Sequence, residues 1–131
     1  MRLATAVPSP LAGREEVVVW EVNTGKELSH LAGHLGTISG LAFNPDGMRV
    51  ASAAWDGRRE PEVKIWESTG GRELLSLKAP VGLGMGNLEF TADGHRLLGL
   101  RSARSTPYYD VNEIWDATPR PEGKSVDADG Q

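Results

Sequence analysis

A segment of about 47 residues recurs along this chain, in pieces, three times. Arg2, Arg49 and Arg96 are each 47 positions apart, and Phe43 and Phe90 share that spacing with the pairs Asp46-Gly47 and Asp93-Gly94. Trp20, Trp66 and Trp115 follow at intervals of 46 and 49. "MRLATAV" at 1–7 returns as "MRVASAA" at 48–54, "NTGKEL" at 23–28 as "STGGREL" at 68–74, and "VVVWE" as "VKIWE" and "NEIWD". Self-similarity at such a period restricts the chain to stacked supersecondary units, none of which can bury its apolar faces alone.

Within a unit the apolar period is two. Met48, Val50 and Ser52 alternate with Arg49, Ala51 and Ala53, while Val63 and Ile65 alternate with Lys64 and Trp66. That is strand periodicity, and no window of ten or more residues keeps a helical one. "FNPDG", "FTADG", "NTGK" and "STGG" supply the turns between strand-like runs. Each unit therefore reads as four short antiparallel strands, which in the second unit are "TISGLAF", "MRVASAA", "EVKIWE" and "ELLSL". The expected fold class is all-β. The high Gly and Pro content, 16 and 8 residues of 131, suits many short strands and tight turns.

A four-stranded unit of about 40–50 residues has the size of a propeller blade. Residues 33–78 combine Gly33-His34, the hairpin Asp46-Gly47, Ser52 on the second strand, Asp56 at the next turn and the closing Trp66. In that combination they resemble a WD40 repeat. The resemblance implies a propeller built of four-stranded antiparallel blades, here incomplete. It also implies that His34, Ser52, Asp56 and Trp66 form a buried tetrad, with the indole bonded to the Ser hydroxyl, Ser to His and His to Asp. The expected divisions are a partial first blade over 1–32 lacking its innermost strand, a complete repeat over 33–78, a degenerate third repeat over 79–117 and a disordered tail over 118–131. "RREPE" lengthens the loop after Asp56, and the third unit has neither the Gly-His nor the turn Asp. Thr5 stands at the Ser position of the first unit and Gly99 at that of the third.

Met1 aligns with Met48 and His95, at the start of a second strand. The expectation from this phase is the C-terminal part of a longer propeller. The alternative is a chain that completes its blades by pairing with copies of itself, as an unpaired strand edge invites.

The net charge of −4 is spread along the chain with no basic patch, so neither nucleic acid nor an acidic membrane surface is an expected partner. With no Cys, disulfide and thiolate chemistry are excluded. The apolar run in "MRLATAVPSPLAG" is short and is broken by Pro8 and Pro10, unlike a signal peptide, so the expected location is cytoplasmic.

His34, Ser52 and Asp56 also invite a hydrolase reading, but "VASAA" is plain strand without the sharp elbow of a nucleophile. His30 and His34 lie four apart on a strand and turn with no third ligand near, and "SVDADGQ" lacks the closing Glu of a calcium loop, so no metal or other cofactor is expected. Trp55 with Arg58 and Arg59 has the composition of a protein-interface hot spot, and Tyr108 and Tyr109 form a weaker version of it in the third unit. Trp55 folded onto its own loop is the competing reading.

The function that follows is a protein–protein interaction scaffold, not an enzyme, whose partner is another protein, the remaining blades of a longer chain, or a further copy. The alternatives are a sensor or hydrolase propeller with a site in its funnel, and a fragment without independent function.

Overall fold

The computed structural model describes residues 1–10, 13–58, 61–78, 87–102 and 109–116, with the side chains described up to residue 99. Ten strands run through them: β1 (Arg2–Pro8), β2 (Glu15–Glu21), β3 (Lys26–Leu31), β4 (Thr37–Phe43), β5 (Arg49–Trp55), β6 (Glu62–Glu67), β7 (Glu73–Lys78), β8 (Asn87–Phe90), β9 (Arg96–Ser102) and β10 (Tyr109–Asp116). They form three antiparallel sheets, ordered β1-β2-β3, β4-β5-β6-β7 and β10-β9-β8. The described residues are all-β, as the period-two pattern requires, and the open sheets are those of a partial propeller. No helix among them is long and apolar enough to cross a membrane.

The Asp-Gly pairs turn the chain in the same way twice. Gly47 N–H donates to Asn44 O at 2.7 Å and Gly94 N–H to Thr91 O at 2.8 Å, and both glycines take φ of +74°. Only glycine enters that region without steric cost, and it lets a tight turn feed a β-hairpin. The preceding aspartates hold the exit: Asp46 Oδ1 accepts from Met48 N–H at 2.8 Å and Asp93 Oδ1 from His95 N–H at 2.9 Å.

Pleating sends alternate residues of the middle sheet to opposite neighbours. Val50 and Trp66 pack with Val17, Val19 and Leu31 of the first sheet. Ala51, Ala53, Val63, Ile65 and Leu77 pack with Leu88, Phe90 and Leu97 of the third. The middle sheet is thus buried on both faces, which is why β6 carries apolar residues at consecutive positions. Each large side chain so buried stabilises the stack by about 1.5–3 kcal/mol. Arg2 and Arg49 bridge from one sheet to the Asp-Gly turn of the next.

Candidate functional site

The chemistry-bearing residues of the middle sheet meet on its face toward the first sheet. Ser52 lies opposite Lys64 in the β5–β6 register, and Lys64 opposite Ser76 in β6–β7. Two residues along, on the same face, Trp66 lies opposite Val50, so its indole reaches diagonally across to Ser52. Trp66 Nε1–H donates to Ser52 Oγ at 2.8 Å, and Ser52 Oγ lies 2.5 Å from His34 Nε2. The three side chains are buried, Ser52 completely. His34 and Trp66 meet edge to face with their ring centroids 6.0 Å apart.

The carboxylate facing His34 Nδ1 is that of Glu62, at 3.3 Å. Asp56, expected there from the resemblance, is exposed, and its Oδ1 accepts from Arg58 N–H at 2.8 Å. The long loop accounts for the difference. It brings Glu62 into β6 opposite Ala54, level with the imidazole, and leaves Asp56 to cap its own turn. Nδ1 and Glu62 Oε1 are both buried and make no hydrogen bond among the described residues.

The tautomer follows from these neighbours. Burial lowers the His34 pKa to about 4, with the Lys64 ammonium adding to the effect and Glu73 opposing it. The ring is therefore neutral at pH 7. Ser52 Oγ already accepts from Trp66, and its single proton is best directed at Nε2. The imidazole proton then sits on Nδ1, toward the Glu62 carboxylate, where a bare lone pair would be repelled. Lys64 is itself buried, with Nζ 2.6 Å from Glu73 Oε1, 3.8 Å from Glu62 Oε1 and 5.9 Å above the Trp66 ring.

This constellation does not act as a nucleophile with its base. Ser52 and His34 are covered by the first sheet, and a hydroxyl sealed from solvent meets no substrate. What the network can do is fix the register of β5 against β6 and seat the loop before β4, through the buried hydrogen bonds that join Trp66, Ser52 and His34. Among the described residues no group of three or more His, Asp or Glu is placed to hold a metal ion.

The first sheet has a shorter version of the same bond: Trp20 Nε1–H donates to Thr5 Oγ1 at 2.8 Å, here half-buried. Gly99 gives the third sheet no side chain at that position.

No family model matches the chain. It is 32% identical over 98 residues to a periodic tryptophan protein 2 homolog of Schizosaccharomyces pombe, 75% of this chain and 11% of that protein. It is 29% identical over 117 residues to eukaryotic translation initiation factor 3 subunit I of Pyricularia oryzae, 86% of this chain and 33% of that one. A WD repeat-containing protein of Synechocystis is 31% identical over 88 residues, 67% of this chain and 24% of its own length. The chain belongs to the WD40-repeat family. It spans no more than a third of these relatives.

As a WD40 blade, the middle sheet shows its remaining candidate residues at one end. Trp55 closes β5, opposite Thr37 at the start of β4, and is half-buried; Arg58 beyond it is exposed. The loop before β4 presses against this point. A Cβ on Gly36, whose φ is +113°, would lie 2.7 Å from the backbone carbonyl of Trp55. Glu15 fastens the same loop to the first sheet, its N–H donating to Gly36 O and its Oε1 accepting from Ile38 N–H, both at 2.9 Å. Arg59 and Tyr108 lie outside the described residues, and Tyr109 is placed only as the first residue of β10. Glu62 and Lys64 escaped sequence reasoning, and the signal for them was faint: two charges flanking Val63 in a strand that also ends on a charge, Glu67.

Proposed function

We propose that this chain is an interaction scaffold of the WD40 type, working in the cytoplasm as part of a larger propeller and without chemistry of its own. Its units divide near residues 32 and 78, and Trp55, Arg58 and Arg59 belong to the surface offered to a protein partner, with Tyr108 and Tyr109 a lesser part of it. The observation that carries this reading is the middle blade. Its Ser–His pair is spent on internal locking, while at its Trp55 end the loop before β4 is anchored by Glu15 and the half-buried Trp55 is followed three residues on by the exposed Arg58. Rigid placement of such residues is what a protein interface rewards. That one of the relatives is by name a subunit of a translation initiation factor accords with work inside an assembly.

The test is a paired capture experiment with the intact chain and its Trp55→Ala variant immobilised. The expected outcome is at least a tenfold weaker hold on a specifically retained protein, as a hot-spot truncation of about 2 kcal/mol or more gives, with the melting temperature kept within a few degrees. Equal retention by both would remove Trp55 from the interface. A loss of retention that follows a loss of folding would make Trp55 structural.

A further inference from the structure

The joints between neighbouring sheets are built on the same repeat position. Arg2 Nη1 donates to Gly47 O at 2.8 Å and to Ser68 Oγ at 2.7 Å, reaching the Asp-Gly turn 45 residues further on. Arg49 Nη2 donates to Gly94 O at 3.0 Å, again 45 residues on, and its guanidinium lies 5.7 Å above the Phe90 ring. A cation on the second strand of one sheet thus takes the glycine carbonyl of the next sheet's hairpin, twice in the same way. Burial at this joint lowers the Arg49 pKa, which remains a cation at neutral pH.

Arg96 is the third residue of the series. Leu97 is wholly buried against the middle sheet, so the pleat turns Arg96 and Leu98 to the opposite face. The backbone of Arg96 is fixed by Thr91, whose Oγ1 accepts its N–H at 3.1 Å and whose N–H donates to its carbonyl at 2.9 Å. Among the described residues its side chain makes no hydrogen bond, and it is exposed. Among the described residues no Asp-Gly hairpin meets Arg96 on the face where one meets Arg2 and Arg49.

We propose that this face of the third sheet is a docking surface for a further blade, whose Asp-Gly hairpin presents its glycine carbonyl to the Arg96 guanidinium while its apolar face covers Leu98. The inference rests on the reading of the chain as part of a larger propeller and names the residue that makes the next joint. The occupant is not a second copy of the chain. Gly47 O already accepts from Arg2 and Ser68, and Gly94 O from Arg49 and Asn44. A carbonyl oxygen has two lone pairs, so both hairpin glycines are saturated.

The test lengthens the chain by a copy of residues 33–78 joined directly after residue 126, in place of residues 127–131, so that the copy's Gly47 again follows Arg96 by 45 residues. Urea unfolding, followed by circular dichroism, is compared for the 131-residue and lengthened chains, each with Arg96 and with Arg96→Ala. The substitution is expected to leave the midpoint of the 131-residue chain unchanged. In the lengthened chain it should lower the midpoint as much as Arg49→Ala lowers that of the 131-residue chain. A lengthened chain that gains strand signal but ignores Arg96→Ala overturns the role of Arg96 and leaves the blade stack standing. An equal fall in both chains also overturns it, by making Arg96 a residue of its own sheet. If the 131-residue chain self-associates and Arg96→Ala abolishes that, the named occupant is wrong. If the added blade brings no cooperative strand signal, the stack itself is refuted and the docking surface with it.

Discussion

Replacing Trp66 with Ala is expected to destabilise the chain by about 3–5 kcal/mol, the usual range for emptying a large aromatic site in a core. The stability of a whole domain is only about 5–15 kcal/mol, so the variant should be largely unfolded under mild denaturant. The size of the effect follows from where the indole sits. It is 2% exposed, packs against Val17, Val19 and Leu31 of the neighbouring sheet, and gives its N–H to Ser52. Trp66→Phe separates these contributions. It keeps most of the packing and removes the bond, leaving Ser52 Oγ without its donor, and should cost nearer 1–2 kcal/mol beyond the smaller volume. Trp20→Ala should cost less than Trp66→Ala, because Trp20 is half-buried even though its bond to Thr5 has the same 2.8 Å length. Urea midpoints for the three variants decide the matter. If Trp20→Ala and Trp66→Ala fall together, the buried network has no special weight and each Trp counts only as apolar area.

The fold was legible where the chain's local chemistry is sufficient. An Asp-Gly pair between alternating runs leaves few turns open, and both pairs took the same one, with φ of +74° at Gly47 and Gly94. The four runs of the middle unit needed only their period and their turns to become β4 to β7. Trp66 and Ser52 could be paired through the resemblance because fixed spacings on adjacent strands preserve register. Asp56 could not be placed in that way. The loop after it is longer than the resemblance allows for, and the sequence alone does not say which acid a longer loop returns to the imidazole; here it is Glu62. The burial of Lys64 was illegible for a related reason, since its partners Glu73 and Ser76 belong to β7 and become neighbours only through the register. The joints made by Arg2 and Arg49 left only half a trace. The arginines repeat visibly, but the acceptors they have in common are the glycine carbonyls of the hairpins, and a carbonyl has no letter in a sequence.

Acidification should weaken the middle blade before its carboxylates respond. His34 is neutral and buried, with a folded pKa of about 4 against the ordinary 6.5. Between those values the unfolded chain binds the proton that the folded chain refuses, so stability rises with pH across the interval. The contribution is fully present above pH 6.5, declines as pH falls through it and levels out below about 4. The whole interval is worth about 3 kcal/mol, of which about 2 is lost by pH 5, where most ordinary carboxylates are still ionised. Urea midpoints at pH 7 and pH 5 measure it, and His34→Gln should remove most of the difference even though it weakens the blade at both pH values. Lys64→Met gives an independent check. Without the ammonium the folded pKa of His34 rises toward 6.5, so the loss between pH 7 and pH 5 should shrink. The stability at pH 7 should itself fall, because removing the ammonium leaves the Glu73 and Glu62 carboxylates without their buried cation; the check is therefore the size of the pH 7 to pH 5 difference, not the midpoint at either pH. A pH dependence that survives His34→Gln unchanged would assign the acid sensitivity to other groups. One that Lys64→Met leaves untouched would mean that desolvation alone, not the neighbouring cation, keeps the imidazole neutral.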